Sequence, residues 1–323
     1  MFSAEPQLMV PMQLGGISFS TRDLLAEIDD TNFLCQVEMK NYIRRAKGSN
    51  QDYYPHNIIE QGLTIGRTHI LTVQGGSSVP VAGSSAAEED VPGTNVTFSA
   101  RGAAVDTANG RKHVSVDEYM SIALEGNYSH VVLMADEVPF GTSQKRTGKA
   151  LERTRKWFSQ QVSTLRTAKG PDIFIFGVVI VSAGPEKCAE QAGWMVANGA
   201  DGISVGGLGQ GESQAERRSA IEAVRNTMDI KVPIAVLGID GLRDIIGVVE
   251  AGASIVASNC AARLTARRAF LSLNLGVATQ AIQGEARGKK RKSDLEVASE
   301  GPFARSSALS SSSVRMPQSG DVL

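Results

Sequence analysis

From Val131 onward, short β-branched runs alternate with helical stretches at roughly 30-residue spacing, and this alternation constrains the fold more than any other feature of the chain. Strands are expected at Val131–Ala135, Ile173–Ile180, Gly202–Val205, Pro233–Leu237 and Ser254–Ala257. Between them, apolar residues recur at helical spacing over Thr147–Ala168, Pro185–Asn198, Ser213–Met228 and Leu242–Glu250. Pro185 suits a first helical position, while Gly199 and Gly252 stand where helices stop. Continuous apolar strands imply burial on both faces, as in a parallel sheet covered by helices. The unbroken alternation favours a (β/α)8 TIM-type barrel over an open sheet.

The first half is less regular. A helical stretch is expected around Asn32–Arg45, a strand at Thr68–Val73 and a hairpin across Val96–Asp106, which together could supply the remaining barrel strands. Gly, Ser, Pro, Ala and acidic residues dominate Gly75–Thr94, as in a surface excursion. The basic run Lys289–Lys292 leads into a Ser-rich tract poor in large apolar residues, so the chain divides into a barrel over 1–275 and a disordered tail over 276–323. Lys289–Lys292 reads either as a targeting or nucleic-acid patch or as part of a solvated tail.

With 42% hydrophobic residues among 323, the chain can bury one substantial core or two smaller ones, and one large α/β domain is the simpler reading. A formal net charge of −1 gives no global basic field, so nucleic-acid contact must come from a local patch or from a partner. The odd, distant cysteines Cys35, Cys188 and Cys260 form neither a disulfide framework nor a local zinc cluster, which points to a reducing compartment. No apolar run reaches the ~20 residues that cross a bilayer, so a soluble intracellular protein is expected.

The site-like feature is Val205-Gly206-Gly207-Leu208-Gly209-Gln210-Gly211-Glu212, where paired glycines after an apolar run let backbone approach a ligand or serve only a tight βα turn. Asp136-Glu137 closes the first regular strand, either as a ligand contact, or as a cap on the helix that begins after Phe140, where a helix N-terminus favours acids, or as the partner of a surface arginine. Arg146, Arg153, Arg155 and Lys156 follow as a cationic group that could face phosphate or be a solvated helix face.

Taken in order, Met134-Ala135-Asp136-Glu137, Val205-Gly206-Gly207-Leu208 with Gly211-Glu212, Leu237-Gly238-Ile239 and Ala251-Gly252-Ala253 resemble landmarks of the tRNA-guanine transglycosylase family, over about Thr64 to Arg263. The resemblance implies a TIM-type barrel and exchange of guanine for queuine at the tRNA wobble position. It makes Asp136, Gly206, Gly207, Gly75 and Gly76 the remains of a base pocket. The family's nucleophilic aspartate falls on Ala257, its first base-binding aspartate on Val73 and its glutamine on Ile180. Three polar groups have become apolar, which gives the expectation that the chain is not an enzyme but the accessory, non-catalytic subunit. The resemblance then implies a heterodimer with a catalytic queuine tRNA-ribosyltransferase subunit in the cytoplasm, tRNA contact through the complex, and Arg146, Arg153, Arg155 and Lys156 as phosphate contacts. The family's Cys-x-Cys-x-x-Cys and His zinc ligands have no counterpart after Cys260, so no cofactor or metal is expected. Two other readings remain: a phosphate- or flavin-binding barrel enzyme, and an orphan barrel scaffold.

Overall fold

The computed structural model describes residues 6–13, 16–17, 34–39, 44–45, 52–53, 68–73, 96–107, 110–126, 128–239 and 241–258. Among them, parallel strands run β1 (Gln7–Gln13), β2 (Leu34–Glu38), β3 (His69–Thr72), β4 (His130–Val132), β5 (Phe174–Ile180), β6 (Gly202–Gly206), β7 (Ile234–Val236) and β8 (Ile255–Ala257). Each pairs in parallel with the next, and β1 returns to β8 with Gln7 opposite Ile255 and Met9 opposite Ala257. The result is the expected (β/α)8-type barrel, with every strand's C-terminal end at one rim.

Alternation along the strands splits the core in two. Met9, Leu34, Ile70, Val132, Phe176, Val178, Ala235, Ile255 and Ala257 pack inside the barrel. Their neighbours, including Val131, Ile175, Ile203, Val205, Ile234 and Val256, face the outer helices. These helices are α1 (Val116–Glu125), α2 (Gln144–Lys169), α3 (Pro185–Ala197), α4 (Gln214–Thr227) and α5 (Leu242–Glu250). Ser115 with Glu118 and Ser213 with Glu216 form capping boxes at α1 and α4, which fix where those helices begin.

The first half departs from expectation at two places. Within the stretch read as helical around Asn32–Arg45, Leu34–Glu38 is barrel strand β2, with all five side chains buried. Its Gln36 donates across to Thr72 Oγ1 at 3.1 Å, a polar pairing between inward-facing strand positions. The hairpin expected over Val96–Asp106 is a three-stranded antiparallel unit, Thr97–Ser99, Gly102–Thr107 and Gly110–Val114, leading directly into α1. Gly75, Gly76, Cys260, Lys289–Lys292 and the tail over 276–323 lie outside the described residues. No helix among the described residues is long and apolar enough to cross a membrane.

His130 begins β4 at the opposite rim, stacked on Phe174 with ring centroids 5.4 Å apart and Nδ1 2.8 Å from Ser129 Oγ. Burial lowers its pKa from 6.5 to about 4, against a weaker upward pull from Asp201. Between those values the unfolded chain binds a proton that the folded chain excludes, so stability falls as pH drops from about 6.5 toward 4 and is unaffected above that window. At pH 5 the expected cost, discounted for the partly open ring, is on the order of 1 kcal/mol. Melting curves at pH 7 and pH 5 should show this difference, and His130→Gln should remove most of it. An equal loss in both proteins would place the pH sensitivity elsewhere.

Candidate functional site

The C-terminal rim is where the βα loops of such a barrel converge, and three carboxylates arrive there from two loops. Asp136 and Glu137 follow β4, and Glu212 closes the loop after β6. Each already has partners within the chain.

Asp136 is fully buried and is gripped by two guanidinium groups of α2. Arg146 forks onto it, Nη1 to Oδ2 at 2.8 Å and Nη2 to Oδ1 at 2.7 Å, and Arg153 Nη1 also donates to Oδ2. The bound carboxylate raises the pKa of Arg146 above its ordinary value. Side chains of α2 also take over the backbone where β4 ends: Thr154 Oγ1 accepts from Asp136 N at 3.0 Å, and Gln161 bonds both N and O of Met134 at 2.9 and 3.0 Å. The loop is thereby clamped to the helix that follows it.

Glu137 reaches across to β6, where Gly207 N donates to its Oε2 at 2.5 Å. This contact explains the adjacent glycine. A Cβ on Gly206 would lie 2.7 Å from Val178 Cγ1 and 2.9 Å from the Glu137 carboxyl, while Gly207 itself adopts φ +77°. The Gly-Gly pair therefore lets backbone approach a carboxylate of the chain itself. Glu212 accepts from Gly209 N at 2.7 Å, Gln210 N at 2.9 Å, and Arg217 Nε and Nη2 at 3.0 and 2.8 Å. Phe140 N donates to Gln210 O at 3.1 Å, which joins the two loops.

Val73, Ile180 and Ala257 are buried at the ends of β3, β5 and β8 and bring no polar group to the rim. A cavity of about 30 Å³ lies between Val73, Glu137, Val178, Ser204, Gly206 and Leu237, room for about two water molecules. Cys188, buried against Ile180 with Sγ 3.3 Å from its carbonyl, has its thiol pKa pushed up to about 12 by burial and is inert at neutral pH.

The four cations do not form one surface group. Arg146 and Arg153 turn inward to Asp136, whereas Arg155 pairs with Glu190 at 2.9 Å and lies over the Trp194 ring at 5.4 Å. Lys156 is exposed beside it. An arginine partner for Asp136 is one of the readings the sequence offers, and the structure supplies two of them, both from α2. Arg146 and Arg153 are seven residues apart, two helical turns, and so share a face.

Comparison with known proteins gives a family match: the Queuine tRNA-ribosyltransferase family model covers residues 50–298. A queuine tRNA-ribosyltransferase of Xylella fastidiosa (strain M12) is 27% identical over 184 residues, 57% of this chain and 45% of the relative. One from Solidesulfovibrio magneticus is 27% identical over 146 residues, 45% of this chain and 39% of the relative. One from Xanthomonas campestris pv. campestris is 26% identical over 184 residues, 57% and 46%. The chain thus spans less than half the length of these curated relatives.

These matches correct the expectation that the chain is not an enzyme, because the family and the relatives alike carry an enzyme's name. That expectation rested on Val73, Ile180 and Ala257 alone. Three alkyl side chains do not exhaust the rim, which the fold also lines with Asp136, Glu137 and Glu212.

Proposed function

This chain belongs to the queuine tRNA-ribosyltransferase family, and from that premise we propose that it acts in queuosine modification of tRNA, in the exchange of guanine for queuine at the wobble position. The observation that carries the reading is the span of the family match. Residues 50–298 take in β3 to β8 and with them Asp136, Glu137, Gly206, Gly207 and Glu212. Family and rim therefore coincide, at the end of the barrel where such folds place their chemistry.

The proposal includes a partner, a second queuine tRNA-ribosyltransferase chain with which this one forms a heterodimer in the cytoplasm. Arg155 and Lys156, on the exposed side of α2, face tRNA phosphate in this arrangement.

The test is incorporation of labelled guanine into unmodified tRNA by a queuine tRNA-ribosyltransferase partner, with and without this chain, alongside co-elution of the two. Incorporation should rise severalfold when the chain is added, with both proteins in one complex that binds tRNA. Unchanged incorporation, together with no tRNA binding by the mixture, would overturn the reading.

A further inference from the structure

Helix α2 carries eight lysines and arginines and a single acidic residue, Glu152, in a chain whose net charge is −1. Its four arginines are committed inside the chain: Arg146 and Arg153 hold Asp136, Arg155 pairs with Glu190 and Arg166 with Asp201. Lys145, Lys149 and Lys156 are all exposed and form no ion pair among the described residues. At 3.6 residues per turn they fall within an arc of about 40°, opposite the buried side of the helix that holds Thr154, Phe158 and Gln161. The row starts at the C-terminal rim, where Arg146 meets Asp136, and runs down the outer wall of the barrel for about 16 Å. Neighbouring acids are occupied: Asp117 accepts from Gln160 Nε2 at 2.6 Å, and Glu190 is held by Arg155 and Lys187. Glu152 lies within the row and leaves it with an excess of positive charge.

Charge, spread and composition together select the occupant. Three ammonium groups strung along about 16 Å of helix match a linear polyanion better than one small anion. A lipid surface would also need apolar side chains to insert, and the exposed large hydrophobics among the described residues are Ile230 and Ile246, neither of them on α2. The lysine nearest the rim also stands against the local electrostatics of its helix. α1, α3, α4 and α5 each place an acid in the first turn, where the helix dipole favours negative charge, whereas α2 has none there and carries Lys145 and Arg146 instead. Asp136 offsets Arg146; no acid among the described residues pairs with Lys145. A phosphate beside Lys145 would turn that unfavourable placement into a favourable one.

We propose that an RNA strand lies lengthwise on the outer face of α2, with successive phosphates on Lys145, Lys149 and Lys156, and that it reaches the barrel rim at the Lys145 end. Arg146 and Arg153 are not part of this contact, because both are turned to Asp136. The inference rests on the reading that the chain acts on tRNA, and it adds the path along which the strand approaches the rim.

Anisotropy of labelled unmodified tRNA across a salt series tests it, with the full chain alone and mixed with a queuine tRNA-ribosyltransferase partner. Each phosphate contact adds about 0.7–0.9 to the salt slope, so each single Lys→Gln change at these positions should raise Kd roughly fivefold near 0.15 M salt. Lys145→Gln, Lys149→Gln and Lys156→Gln together should raise it roughly a hundredfold and flatten the slope by about two to three. Lys231→Gln, exposed at the opposite rim, serves as the control for net charge and should leave both unchanged. Lys145→Glu should weaken tRNA binding while the melting temperature holds or rises, since an acid in the first turn suits the helix dipole. A triple variant with wild-type affinity and slope would overturn the stripe while leaving the tRNA reading intact, and an equal loss in Lys231→Gln would trace the effect to net charge and overturn it as well. Wild type that binds no tRNA, alone or with the partner, would remove both. Binding to phosphatidylserine vesicles that needs the three lysines, with tRNA binding indifferent to them, would assign the stripe to a membrane surface and overturn the proposal.

Discussion

Asp136→Ala should lower the melting temperature by roughly 6–12 °C, a loss of about 3 kcal/mol. Asp136 has no exposed side-chain surface, and its removal leaves Arg146 and Arg153 facing each other around an empty position. Breaking a buried ion pair from one side costs about 3–5 kcal/mol, because the remaining charge is left desolvated. The two arginines keep 34% and 24% of their surface, so part of that cost is relieved by water, which sets the expected value near the lower end. Asp136→Asn keeps the shape but cannot accept the paired fork of Arg146 on two charged oxygens, and should fall between wild type and alanine. Arg146→Met in the Asp136→Ala background should recover stability by removing one stranded cation. A loss below about 1 kcal/mol in Asp136→Ala would show that the arginines move freely to solvent and that the clamp is not structural.

This clamp also shows how far the sequence could be read. Strands β4 to β8 and the helices after them were legible because apolar runs buried on both faces alternate with helical periodicity, punctuated by Pro185, Gly199 and Gly252. Strand β2 was not legible, since Leu34-Cys35-Gln36-Val37-Glu38 carries polar side chains on its inward face and buries both faces alike, which leaves no amphipathic signal of period two. At the site, the placement of Asp136 and Gly206-Gly207 at strand ends followed from the pattern. Their partners did not. A ligand contact and an internal ion pair demand the same residue types, and only the fold shows that the carboxylates of Asp136 and Glu137 are met by Arg146, Arg153 and Gly207. The inference of lost catalysis from Val73, Ile180 and Ala257 failed for a related reason: it judged three positions one at a time, while a rim built from eight strand ends can draw polar groups from any of its loops.

Glu212→Ala should cost about 2–4 kcal/mol and loosen the loop after β6 first. Its carboxylate accepts four hydrogen bonds, two from the backbone of Gly209 and Gln210 and two from Arg217, with no side-chain surface exposed. In alanine's place the two N–H groups lose their acceptor, each at about 1–3 kcal/mol if they stay buried. Arg217 keeps a second partner, Asp244, at 3.1 Å, so the arginine is not stranded and the loss is smaller than four separate bonds would give. The loop can relieve its own share by opening to water, since Gly207, Gly209 and Gly211 all hold positive φ and resist no rearrangement through side chains. Opening also releases Phe140 N from Gln210 O, and so loosens the loop after β4. Hydrogen exchange should therefore quicken at Gly209, Gln210 and Phe140 by more than at β6, where exchange reports the global change alone. Glu212→Gln retains one carbonyl acceptor and should show an intermediate effect. Uniform acceleration across loop and strand would mean that Glu212 holds the barrel rather than the loop, and would detach the rim's geometry from this carboxylate.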